Sequence, residues 1–177
     1  KDFKTIEPAI KDNLQIIKEN PENDSAYYSL GQSFFSLGGF DDAIKAFNEA
    51  IKIAPDKDYY YAFLAKVYAA KKDYPQAREA YAKASEINPD KLDHYLKLAW
   101  LYYFRSNEEG KSYDVLKKGL EKAPNDKDLL FEITRYYLYD KSKEEFFKYA
   151  PLYMKIDPEF PAIKDAFHNP DKYFTKS

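Results

Sequence analysis

The chain has 177 residues, with 28 Lys and Arg against 30 Asp and Glu, a formal net charge of -2. That balance offers no basic field for nucleic acid, and the absence of cysteine removes disulfide and thiolate chemistry. No apolar run approaches the ~18 residues of a membrane span.

Residues 1–23 hold one helix, expected from Glu7 to Glu19 with Pro8 in its first turn. Ala9, Ile16 and Ile17 stand 34 residues ahead of Ala43, Ala50 and Ile51. This helix is therefore the second half of a repeat whose first half is missing, and serves as a cap or leaves a bare edge. The chain starts at Lys1 rather than Met, which fits either a removed leader or a segment of something longer. The compartment stays undetermined.

Residues 24–57 form two helices joined at Gly38-Gly39, with Asp24 or Ser25 as N-cap and Asp41-Asp42 in the first turn of the second helix. Residues 58–91 repeat the unit, with the turn at Asp73-Tyr74-Pro75; Tyr61 is its packing aromatic and Tyr59 and Tyr60 point elsewhere. Residues 92–125 are a third unit whose turn, Arg105 to Gly110, is one residue longer and lacks the turn aromatic (Phe40, Tyr74) of the earlier units. Its second helix, with Ser112, Leu116 and Gly119, should pack more loosely.

Residues 126–158 are a degenerate fourth unit. Phe146 stands where a small residue is expected and Ala150 where an aromatic is. Pro151 should kink or cut its second helix near Phe147. Residues 159–177 give a short capping helix, Glu159 to Phe167, ended by Asn169-Pro170 and followed by a mobile tail.

Prolines at 21, 55, 89, 124 and 158 fall 34, 34, 35 and 34 residues apart. A period in that range means stacked helical hairpins rather than one closed globule. Tyr27, Leu30, Gly31, Phe34, Ala43, Phe47, Ala50 and Pro55 recur 34 residues on as Tyr61, Leu64, Ala65, Tyr68, Ala77, Tyr81, Ala84 and Pro89. Large residues three or four apart form one apolar stripe per helix, and the small residues admit close backbone approach.

In this order of residues the chain resembles the tetratricopeptide repeat. The resemblance implies an all-α, right-handed superhelical solenoid of antiparallel helix hairpins. It covers about residues 7 to 160 and fades after 140.

Nothing in the sequence suggests catalysis. His94 lies in the first turn of a helix and His168 beside a helix end, both read as ordinary surface or capping residues. No phosphate loop, metal cluster or serine elbow is present, so neither a metal nor a cofactor is expected. The informative residues are aromatics that the packing pattern does not require.

The resemblance puts the first helices on a concave face, lined by Tyr28, Gln32 and Phe35, by Tyr59, Ala62, Lys66 and Ala69, by Asp93, Leu96, Trp100 and Tyr103, and by Asp128, Phe131, Arg135 and Leu138. Aromatic anchors with Lys66 and Arg135 as cations describe a groove for a partner peptide or helix. The rings could instead pack on one another or on the C-terminal segment. Chaperone-binding tetratricopeptide domains clamp a C-terminal carboxylate with Lys, Asn and Arg. The matching positions here are Tyr28, Gln32, Phe63, Asp93 and Lys97, of which only Lys97 is basic, so that recognition is not expected.

The function expected is protein–protein interaction with a protein or peptide partner. Its core site is Tyr28, Gln32, Phe35, Tyr59, Lys66, Trp100, Tyr103 and Arg135. The alternative is a structural or homo-oligomeric module using the face around Ala9 to Ile17 or the tail near Tyr173-Phe174.

Overall fold

The computed structural model describes residues 3–106 and 108–174, with side chains from residue 7 onward. Among the described residues every regular element is a helix, and the chain falls into two compact units, 1–107 and 108–177.

The first unit holds α1 (Phe3–Glu19), α2 (Asp24–Ser36), α3 (Phe40–Ile53), α4 (Asp58–Ala70), α5 (Tyr74–Ile87) and α6 (Leu92–Arg105). The pairs α2/α3 and α4/α5 are antiparallel hairpins, and their core is built as the repeat demands. Ala43, Phe47, Leu64 and Val67 are buried together, with Phe34, Phe40 and Tyr68 packed against them. Phe47 is fully buried and lies over Gly31, where an added Cβ would come within 2.9 Å of its ring. Burying such a ring contributes roughly 1.5–3 kcal/mol.

The turns repeat as closely as the helices. Gly38, Lys72 and, in the second unit, Lys141 all take the left-handed conformation, at φ of 78°, 66° and 54°. Behind each, one amide reaches back five residues: Gly39 to Phe34, Asp73 to Tyr68 and Ser142 to Tyr137, each at 2.9 Å. This 6→1 closure is the Schellman motif, which satisfies carbonyls that the helix end leaves open. Second helices end differently, at Ala54, Asn88 and Ala123, whose amides bond back four residues before the prolines at 55, 89 and 124.

The second unit holds α7 (Glu109–Lys122), α8 (Lys127–Tyr139), α9 (Lys143–Met154), α10 (Pro161–His168) and α11 (Pro170–Tyr173). Leu116, Leu130, Ile133, Phe146 and Tyr153 are buried in it. α7 buries only Ser112, Leu116 and Gly119. The two exchanged residues, Phe146 in the small place and Ala150 in the aromatic one, are both fully buried, and Thr134, in the register place of Gly31, is buried too. The division between the units falls in the lengthened turn of residues 105–110, so α6 and α7 belong to different units.

Several expectations are corrected. α1 begins at Phe3, so Pro8 lies in its second turn and forfeits one internal hydrogen bond. Asn23, not Asp24 or Ser25, caps α2, its Oδ1 accepting from the Ala26 amide at 3.0 Å. Pro151 does not cut α9, which runs on to Met154 with Ala150 and Tyr153 buried on either side of the proline. α10 is followed by α11 rather than a loose tail. Asp165 accepts from Asn169 Nδ2 (2.7 Å), Lys172 Nζ (2.7 Å) and Tyr173 OH (2.6 Å), which ties the end down. The tail expectation for residues 175–177 lies outside the described residues.

Tyr60 and His94 are the largest corrections. Tyr60 does not point away: it is fully buried and donates its hydroxyl to Asp24 Oδ2 at 2.7 Å. Tyr61 is the half-exposed one. His94 is not a surface residue but is 3% exposed, with Nε2 2.7 Å from Asp58 Oδ2. Both links join an acid in the first turn of one first helix to a residue 36 positions on, in the next.

Candidate functional site

The faces of α2, α4 and α6 in the first unit carry seven of the eight site residues, and six of these sort into two groups.

The first group gathers around Tyr28. Its ring lies 5.2 Å from Tyr59, 5.0 Å from Tyr60, 5.3 Å from Phe63 and 5.8 Å from Phe47. Tyr28 is thus half core and half surface. Its hydroxyl accepts from Gln32 Nε2 at 2.9 Å, and burial, then the neighbouring Tyr59, raise its pKa above the ordinary phenol value. It remains a neutral hydrogen-bonding group at physiological pH. Tyr59 is 39% exposed and forms the outer wall of this cluster. Lys66 joins through Phe63, its ammonium 4.4 Å from the ring centroid. Among the described residues no carboxylate lies within ion-pair distance of Lys66.

The second group lies on α6. Trp100, 38% exposed, packs on Phe104 at 5.8 Å, and Tyr103 meets Phe104 edge-on at 4.8 Å. The Arg105 guanidinium covers Trp100 at 4.8 Å and Tyr74 at 5.5 Å. Phe35 stands apart from both groups, directed to Phe40 at 6.0 Å and the core shared by α2, α3 and α4. Ala62 is buried and Ala69 half-buried. Lys97, the one basic clamp position, is 3.5 Å from Asp93 and thereby neutralised.

Arg135 belongs to the second unit. It pairs with Glu132 on its own helix, and its guanidinium lies 5.3–5.6 Å from the rings of Phe131, Tyr136 and Tyr139. Tyr139 is the most exposed large apolar residue among the described residues of that unit, at 58%.

Sequence register found the exposed rings Tyr59 and Trp100 but missed Phe104, and it named Phe63 only as a clamp position. Both sit one turn from a site residue on the same helix, and that spacing was the available signal. Among the described residues no group of three or more His, Asp or Glu could hold a metal ion, and no helix is long and apolar enough to cross a membrane.

Family models described as tetratricopeptide repeat match residues 25–57 and 59–91. A comparison with curated proteins finds no significant match. Among solved structures, MamA aligns with a TM-score of 0.73 at 20% identity, covering 87% of this chain and 90% of that one. YrrB, described as a TPR protein with an unusual peptide-binding site, aligns at 0.70 and 14%, covering 93% and 84%. The C-terminal part of a TPR repeat-containing protein from Cytophaga hutchinsonii aligns at 0.74 and 22%, covering 88% and 64%. At these identities the likeness establishes the fold. Residues 25–57 and 59–91 thus carry two tetratricopeptide repeats, and the chain has the fold of the TPR solenoids.

Proposed function

We propose that the α2–α4–α6 face of the first unit binds a segment of a partner protein bearing large apolar side chains and an acidic residue. The repeats make the chain a protein-interaction module; this reading adds the face and the ligand chemistry. The observation that carries it is the joint exposure of Tyr59, Trp100 and Phe104, at 38–40%, on a face that also presents the uncompensated ammonium of Lys66. Rigid rings left in water are the anchors that protein interfaces use, and a nearby cation selects an acidic neighbour. The peptide-binding site ascribed to YrrB supports a peptide ligand by analogy of fold.

The test is selection of binders from a displayed peptide library against the whole chain, followed by calorimetry with Trp100→Ala and Lys66→Glu. Each variant should keep its helical CD signal and lose at least tenfold in affinity. Peptides that bind both variants as tightly as the parent would exclude this face.

A second reading is favoured by α1, where Leu14 is 50% and Ile16 40% exposed. Such a bare apolar face supports self-association. Light scattering at rising concentration should then report a dimer that Leu14→Glu abolishes; a monomer throughout would remove this reading.

A further inference from the structure

A separate concavity of about 490 Å³ opens between α3, α4 and α5. None of the site residues discussed above lines it. Its apolar part comes from α4, where Leu64 is buried and the rings of Tyr61 and Tyr68 are half-exposed. Its polar part comes from both sides: the side-chain amide of Asn48 on α3, and that of Gln76 with the carboxylate of Glu79 on α5.

The charges at this concavity do not cancel. Lys83 and Glu86, also on its wall, are 3.1 Å apart and neutralise each other. Glu79 has no ion-pair partner among the described residues. Burial first, then Asp73, raises the pKa of the Tyr68 phenol against the weaker opposing pull of Lys71, with Glu79 adding a little to the rise. The site is thus lined by two phenol rings, two side-chain amides and one carboxylate without an ion-pair partner among the described residues.

We propose that this concavity receives an arginine side chain from a partner protein. The aliphatic stem matches Leu64 and the ring edges. The guanidinium offers flat faces for stacking on tyrosine and five donors that can divide between Glu79 and the two amide carbonyls. A lysine ammonium would meet the carboxylate alone and leave the planar geometry unused. This site is independent of the α2–α4–α6 face, so either can fail without the other.

The experiment is an NMR titration of the isotopically labelled whole chain with N-acetyl-arginine N-methylamide. The signals followed are the Asn48 and Gln76 side-chain amides and the Tyr61 and Tyr68 rings. Saturable shifts at these four residues are expected, with a Kd on the order of millimolar for so small a probe. The citrulline analogue, neutral but of the same shape, and the lysine analogue should each bind at least fivefold more weakly. Glu79→Gln should weaken the arginine probe about tenfold while leaving the CD spectrum unchanged. Non-saturating shifts, an equal response to citrulline or lysine, or undiminished binding to Glu79→Gln would each overturn the proposal.

Discussion

Asp58 and His94 meet at 2.7 Å across neighbouring repeats, in the place where the preceding pair of repeats joins Asp24 to Tyr60. The same acid, at the same point of the period, takes two different partners. His94 Nδ1 is buried with no hydrogen-bond partner among the described residues, so the histidine is the poorer of the two. His94→Tyr should leave stability equal or slightly higher. His94→Phe strips the partly buried Asp58 carboxylate of its donor and should cost about 1.5–3 kcal/mol. Urea unfolding distinguishes them; equal losses from Tyr and Phe would show that the link contributes nothing.

Gly31 should resist even one added carbon. A Cβ there comes within 2.9 Å of a Phe47 ring that is itself fully buried. Gly31→Ala gains helix propensity yet should lose about 1–3 kcal/mol to overpacking. Adding Phe47→Leu should recover part of that loss, a coupling that a double-mutant cycle measures.

The left-handed lysines make the opposite prediction. Lys72 and Lys141 adopt a conformation that costs an L-residue roughly 1–2 kcal/mol. Allowing for glycine's greater freedom in the unfolded chain, Lys72→Gly should stabilise by about 0.5–1 kcal/mol. Gly38→Ala should destabilise by about 1 kcal/mol although its Cβ would meet nothing within 4 Å. A neutral Gly38→Ala in thermal unfolding would contradict the turn geometry.

Ser112 occupies the register place of Ala43 and Ala77, is fully buried, and its hydroxyl has no partner among the described residues. Ser112→Ala should therefore raise stability, by about 1 kcal/mol, because it removes an unsatisfied group and leaves no cavity.

Acid should release the C-terminal turn before it unfolds the rest. The Lys172 ammonium, then the Tyr173 hydroxyl and the Asn169 amide, hold the Asp165 carboxyl down at about 2. A lowered folded-state pKa contributes stability that is present above the ordinary aspartate value of 3.8 and is lost as pH falls from there toward 2. Carboxyl-carbon NMR should find Asp165 titrating near 2 in the parent and closer to its ordinary value in Lys172→Met/Tyr173→Phe. An unchanged titration would show that α11 is not held this way.

Period and residue size alone located the hairpins and their turns, because apolar packing repeats whenever the sequence does; they gave Gly31 as room for a backbone, where the structure sets the Phe47 ring. They failed at Tyr60 and His94, where burial depends on a polar partner one repeat earlier. The signal was present: Asp24 and Asp58 are 34 apart, as are Tyr60 and His94, but a search for rings and small residues passes over it. Register also placed Tyr28 and Phe35 on the interaction face without seeing how far their rings turn back toward Phe47 and Phe40. The degree of exposure of a boundary position is set by its neighbours' rotamers rather than by its place in the period.

Near-identical hairpins have a difficulty of their own: their greasy surfaces are interchangeable, so little in them dictates which hairpin should sit beside which. The acids at positions 24 and 58 answer that difficulty. Each must find a donor on the next hairpin, and the two donors differ in size and chemistry. A neighbour that offers no donor at that point of the period would leave a partly buried carboxylate without its hydrogen bond. The junction between hairpins is thus guarded by a penalty on any neighbour lacking the donor, as well as by the attraction of one that has it.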